Sequence, residues 1–440
     1  MLIMLTHANH LYSDRKQVRK MQPYPPLQTL IAAALLRRDG HRVVFFDCTF
    51  DRDFISTMDT YQPDVVAVCE DNFNFLTKMC LLENRELAFE IAAAARVRGI
   101  PAIVNSSDST NNPQAYLAAG FERVILGELE GTLSELCRHW TQKPAQIEYD
   151  PARAVVDLDE LPMPAWDLVD MDAYRRAWMD AHGYFSLNLT ASRGCPYRCN
   201  WCAKPVHGEA YRQYSPDRVA AEMECVQELF APDQLWFTDD IFGLSGKWTR
   251  EFAACVERRG VRIAFRMQSR CDLMTRPTVE ALERAGCIEV WMGAESGSQR
   301  ILNAMEKGIR VDQIAEAREN LRRHGIRAGL FLQLGYRGEE WDDIEKTIQM
   351  VRDVRPDDIG VSVSYPMPNT RFHQIVQAQI GTQANWRDSA DLAMMYQGAF
   401  PTEFYRALAD ALHAEVRGGD EPASVASAWE KVEQLRCACC

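Results

Sequence analysis

Three cysteines fall within eight consecutive positions of the stretch 192–208, SRGCPYRCNWCAKPVHG: Cys195, Cys199 and Cys202. Thiolates at this C-x3-C-x2-C spacing can hold three corners of a cubane 4Fe–4S cluster and leave the fourth iron open to a small molecule. The alternative is a zinc site with His207 as fourth ligand, although zinc more often takes paired C-x2-C knuckles. Of the fourteen cysteines, most others, such as Cys69, Cys225 and Cys255, stand singly in apolar segments and read as small buried hydrophobes. The tail CACC, with Cys437, Cys439 and Cys440, is the one other cluster. It reads as a mobile end, with auxiliary cluster ligation, electron relay or a prenylation signal as alternatives.

These thiols need a scaffold, and the chain supplies strand–helix alternation on both sides of them. LIML, RVVFF, VVAVC, PAIVN and RVILG are short apolar runs rich in β-branched residues, separated by helical patterns such as PLQTLIAAALLRRDG, which Gly40 ends. Continuous apolar strands between helices imply a parallel sheet covered on both faces. Residues 1–140 are therefore expected to form a doubly wound, Rossmann-like domain with ligands beyond the carboxyl ends of its strands. Residues 141–185 are rich in Pro and Asp and read as an ordered linker. Within 186–390, SLNLTAS, QLWFTDD, RIAFRMQ, IEVWMGAE, AGLFLQL and IGVSVSY make six βα units, a partial (β/α)6 TIM barrel. Residues 391–440 form a short helical C-terminal segment.

Bulk composition narrows the function. Hydrophobic residues make up 47% of 440 and the net charge is -13. A packed, multidomain, acidic protein without a basic stripe is expected to bind no nucleic acid. No apolar run approaches the ~20 residues of a membrane span. The start MLIMLTHANH lacks the layout of a secretory signal, so a cytoplasmic location is expected.

The polar residues of the second half gather at the strand ends. There the sequence resembles the radical S-adenosylmethionine (SAM) enzymes over about residues 185–370. The cysteine loop with Trp201 before its last thiol looks like that family's signature. FTDDIFGL, FRMQSRCDL, MGAESGSQRIL, LQLGYRGEE and SYPMPNTRFH stand where the family's later strand motifs stand. The resemblance implies that Cys195, Cys199 and Cys202 bind the 4Fe–4S cluster and that SAM chelates the open iron. It implies SAM contacts by Trp201, Asp239, Gln268, Arg270, Glu295, Ser296 and Gly335. A helix N-cap is an equally good account of Asp240, and a plain salt bridge is the alternative for Arg270. Asn369 replaces the glycine of the family's Pro-Gly-Thr turn.

A doubly wound domain ahead of such a barrel resembles the cobalamin-binding class of this superfamily, the group that contains the anaerobic magnesium-protoporphyrin monomethyl ester cyclase. That resemblance implies cobalamin as a further cofactor, with Ser106, Ser107 and Gly127 at the corrin. Two departures stand out: no Asp-x-His-x-x-Gly motif offers a lower cobalt ligand, and VNSSDSTNNP replaces a glycine-rich turn. The expected activity is C-methylation of a non-activated carbon in a small or medium-sized metabolite, driven by an electron donor such as flavodoxin or ferredoxin. The alternatives are radical cyclisation, rearrangement or oxidation without methyl transfer, and a non-catalytic cluster- or zinc-bearing binding protein.

Overall fold

The computed structural model describes residues 1–74, 82–140, 145–149, 154–381, 392–418 and 422–438. They form two compact units. The first is Met1–Cys195 with Lys204–Asp239 and Val261–Ile263; the second is Pro196–Ala203 with Asp240–Gly260 and Ala264–Cys440.

In the first unit, β1 (Leu2–Thr6), β2 (Arg42–Phe46), β3 (Val65–Cys69), β4 (Ala102–Asn105), β5 (Arg123–Ile125) and β6 (Gln146–Glu148) form one sheet in the order β2-β1-β3-β4-β5-β6. Every pairing is parallel. One face buries Met4, Val66, Val68 and Val104 under Phe54 and Ile91; the other buries Ile3, Leu5, Val65 and Ile103 under Leu36 and Leu133. Burial on both faces is why these strands read as unbroken apolar runs. The helix Leu27–Arg38 ends before Gly40, which takes φ +87°. β6 was not expected, because GlnIleGlu is too short and polar to register as a strand.

The same unit holds β7 (Ser186–Leu189), β8 (Ser192–Arg193), β9 (Arg212–Gln213) and β10 (Gln234–Phe237). β7 pairs in parallel with β10, and β8 pairs antiparallel with β9. The Pro/Asp-rich stretch contains a helix the sequence reading missed, Met171–His182. It is capped by Asp170 and Gly183 and buries Met171, Tyr174 and Trp178. Trp178 Nε1 donates to Pro23 O at 2.7 Å.

In the second unit, β11 (Ala264–Ser269), β12 (Cys287–Glu295), β13 (Arg327–Leu334) and β14 (Asp358–Val363) pair in parallel, each with the next. With β7 and β10 they are the six strands expected after the first domain, so the α/β class with parallel sheets holds. Helices Thr402–Val416 and Pro422–Cys437 follow. Cys437 is exposed; Cys439 and Cys440 lie outside the described residues.

The order of the first sheet reverses between β1 and β3, and ligands of such sheets enter the crevice at that point. Glu70, just after β3, is buried there. Its Oε1 accepts from Ala8 N at 2.7 Å, and its Oε2 has no hydrogen-bond partner among the described residues. Burial pushes this carboxyl up to about 7. A carboxyl raised above its unfolded value stabilises the fold fully below about pH 4, and the contribution is lost as pH rises through about 7. Glu70→Gln keeps the acceptor for Ala8 and removes the titration. Denaturant unfolding of the variant is expected to show a flatter pH dependence between pH 5 and 8, with a gain on the order of 2 kcal/mol at pH 8.

Candidate active site

Glycine begins the cysteine loop. Gly194 takes φ +75°, and a Cβ there would lie 2.5 Å from Ala210 O, so only glycine admits this approach. Cys195 N donates to Gly208 O at 3.2 Å, and Lys204 Nζ donates to Cys195 O at 3.0 Å. Asp239 supports the entry to the loop. Its carboxylate accepts from Ala191 N at 3.0 Å and from the Ser192 hydroxyl. The sequence reading assigned Asp239 to SAM; the structure turns it to the backbone ahead of the cysteines.

The entry is also held by ions. Arg193, fully buried, donates to Glu130 at 2.7 Å and lies 3.7 Å from Glu128. Glu128 pairs as well with Arg212 and sits 3.7 Å from His207 Nδ1. Burial alone would raise the Glu128 carboxyl, but the adjoining His207 and Arg212 side chains and the Arg193 charge hold it well below the usual carboxylate range. His207 stacks on Phe73 with ring centroids 5.2 Å apart. His207 thus packs against Phe73 and lies near Glu128.

In the second unit the loop is clasped by Asn200. Its backbone N–H donates to Met305 O at 3.1 Å and its carboxamide to Ala304 O at 2.7 Å. Its side-chain oxygen accepts from Tyr336 Oη, and its carbonyl accepts from Phe372 N. Cys202 N donates to Cys199 O at 3.2 Å, closing a turn between these two thiols. Trp201 packs against the cluster of Ile301, Met305, Tyr336 and Phe372, and its buried indole Nε1 has no partner among the described residues. Asn200 carried no motif signal; only the fold shows its four bonds.

The remaining expected SAM contacts divide. Gln268 stays half-buried at the end of β11. Arg270 spends its guanidinium on Asp272 at 2.9 Å and on the Tyr197 ring, 3.6 Å from its centroid. The salt-bridge reading of Arg270 therefore holds. Glu295 takes φ +60° and receives a 2.6 Å bond from buried Lys307 Nζ. A Cβ on Gly293 would lie 2.3 Å from that carboxylate, so the glycine makes room for it. Burial opposes the Lys307 charge, but the Glu295 and Cys199 charges raise its pKa overall. Lys307 is a site residue the sequence reading missed; Met-Glu-Lys-Gly reads as a helix end. Ser296 holds a turn, accepting from Ser298 N at 3.1 Å and lying 3.2 Å from Thr347 Oγ1. Gly335 is covered rather than open: a Cβ would meet Met394 Sδ at 2.9 Å, its N–H donates to Glu339, and its carbonyl accepts from Tyr396.

The three loop thiols are half-buried, whereas Cys48, Cys69, Cys137, Cys255, Cys271 and Cys287 are buried. Among the described residues no three His, Cys, Asp or Glu side chains are gathered in metal-binding geometry. Half-buried thiols with cationic Lys307 and Arg270 near Cys199 suit an anionic cluster, whose charge they would offset. For a corrin, the Glu70 crevice offers a buried acid with a spare oxygen to amide groups. Ser106 and Ser107 do not offer free hydroxyls there. Ser106 caps its own helix through Ser109 N at 2.8 Å, and Ser107 donates to Asn72 at 3.1 Å. Gly127, at φ +69°, accepts from Asn105 Nδ2 at 2.9 Å.

Residues 189–351 match the Radical SAM superfamily. That stretch is similar to radical SAM domains. Across 82% of its length it is 25% identical to an uncharacterized methyltransferase, PH0819, of Pyrococcus horikoshii, covering 81% of that protein. It is 24% identical over 81% of its length to the hopanoid C-3 methylase of Methylococcus capsulatus, covering 70% of that protein. The fold resembles that of the radical SAM methyltransferase TsrM from Kitasatospora setae, solved with cobalamin and a 4Fe–4S cluster. The TM-score is 0.68 at 18% identity, covering 87% of this chain and 79% of that one. No helix among the described residues is long and apolar enough to cross a membrane.

The Lys307–Glu295 pair can be tested by unfolding. Lys307→Met strands a buried carboxylate and is expected to cost about 3 kcal/mol. Lys307→Met combined with Glu295→Met should recover most of that loss in urea unfolding.

Proposed function

We propose that the chain is a cobalamin-dependent radical SAM methyltransferase acting on a non-activated carbon of a small or medium-sized metabolite. The observation that carries this reading is the clasped cysteine loop: half-buried thiols on a backbone fixed by Gly194, Asn200 and Asp239, inside a segment that matches the Radical SAM superfamily. The methylases among its relatives and the cobalamin held by TsrM support the methyl-transfer half.

In this reading Cys195, Cys199 and Cys202 hold the cluster, and the Glu70 crevice receives the corrin's amide groups. Bound, the cluster supplies one electron to the SAM sulfonium and the corrin supplies a transferable methyl group. The chain's own share is placement. Asn200 fixes the Cys199–Cys202 turn, and Asp239 fixes the backbone before Cys195. Lys307 fixes the carboxylate of Glu295, a residue in the left-handed region. Gln268 remains available for a polar contact with SAM.

The test is anaerobic reconstitution with iron, sulfide and cobalamin, followed by reduction and addition of SAM. Wild type is expected to release 5′-deoxyadenosine and to give a methylated product from an extract of candidate metabolites. Alanine at any of the three cysteines should remove both iron and 5′-deoxyadenosine formation. 5′-Deoxyadenosine without methyl transfer, or no corrin retained after gel filtration, would sink the methyltransferase reading.

A further inference from the structure

One face of the sheet β11–β14 has an unusual floor. Val290, Met292, Leu330 and Leu332 on the other face are fully buried, as strand alternation requires. On this face Trp291 of β12 and Phe331 of β13 are stacked, ring centroids 5.0 Å apart and planes 30° apart, and both stay half-buried. Glycines let them lie flat. A Cβ on Gly329, the register partner of Trp291, would fall 2.4 Å from the indole ring; one on Gly360, the partner of Phe331, would fall 3.0 Å from the phenyl ring. Each ring therefore lies against a glycine of the neighbouring strand, and each side chain keeps part of its surface exposed.

The rim is polar. Arg266 and Glu289 neutralise each other at 3.4 Å. Gln268, an expected SAM contact, is the register partner of Trp291 on β11 and is half-buried. Gln333, two residues beyond Phe331 and hence on the same face, is buried with its Oε1 lacking a partner among the described residues. Ser362, the register partner of Gln333, donates to Leu332 O at 3.3 Å.

We propose that Trp291 and Phe331, seated on Gly329 and Gly360, form the seat for an uncharged, planar aromatic ring of the substrate, with Gln333 Oε1 accepting from a donor on that ring. The inference rests on reading this sheet as part of the catalytic domain and deepens that reading by naming the substrate class. Flat rings favour offset stacking on aromatic faces, whereas a saturated ring system of equal size gains only area burial. The glycines fit the first need: a Cβ at either position would tilt the floor.

A rival source of a planar ring is the adenine of SAM, and the experiment separates the two. Binding of 2-naphthol and of its saturated counterpart decalin-2-ol to the full-length protein is followed by ligand-observed NMR, without reduction or SAM. Wild type is expected to prefer 2-naphthol. Trp291→Leu should weaken it about five- to tenfold and leave decalin-2-ol unchanged, and Trp291→Phe should restore most of the binding. Added 5′-deoxyadenosine should leave the naphthol signal intact. Equal binding of the two probes, no loss in Trp291→Leu, no recovery in Trp291→Phe, or displacement by 5′-deoxyadenosine would each overturn the proposal. SAM cleavage by a protein that fails this test would leave the proposed chemistry standing without this seat. Selective naphthol binding by a protein that cleaves no SAM would do the reverse.

Discussion

A single buried carboxylate, Glu128, organises the entry to the cysteine loop. It gathers Arg193, Arg212 and His207 around itself, and all three flank the thiols in sequence. An ion this deep is tolerated only when its charge is met on several sides. Meeting it draws both arms of the β8–β9 pair toward the end of β5, so the backbone that leads into and out of the cysteines has little freedom. Gly194 can then make its tight turn in one defined place.

The second unit applies the same logic with neutral groups. Asn200 spends its backbone and side-chain polar groups on Ala304, Met305, Tyr336 and Phe372, and the aromatic cluster around Trp201 closes over the bonds. The thiols on either side are thereby left half-buried while Asn200 between them is buried. Lys307 and Glu295 add a paired charge close to Cys199. Polar side chains that a sequence reader would assign to ligand contact, such as Asp239 and Ser296, are instead used to make that rigidity. Preorganisation of this kind is what a catalytic loop requires, since displaced ligands cost rate.

Much of the fold was legible because burial on both sheet faces forces continuous apolar strands. VVAVC and AIVN could hardly be anything else between helical stretches. β6 was missed because an edge strand of three residues carries no such run, and the helix Met171–His182 was masked by its polar, Asp-rich neighbours. Ser106 and Ser107 were expected at a corrin because small hydroxyls replace glycines there. The capping box with Ser109 shows the more local use: hydroxyls at a helix start satisfy free N–H groups first. Gly335 was expected to leave space for a ligand; its space holds Met394 and Tyr405.

The sequence by itself determined the class of chemistry. Thiol spacing on one loop is a local property, set within eight residues, and so was the alternation of strands that carries it. What only the tertiary structure decided is which polar groups are spent and which are spare. Glu128 against His207, Lys307 against Glu295, and Trp291 flat on Gly329 are pairings between residues 12 to 79 positions apart. Such pairings depend on how strands and loops are brought side by side, and no spacing along the chain encodes the desolvation that makes one carboxylate a structural clamp and leaves another acid with an oxygen to offer.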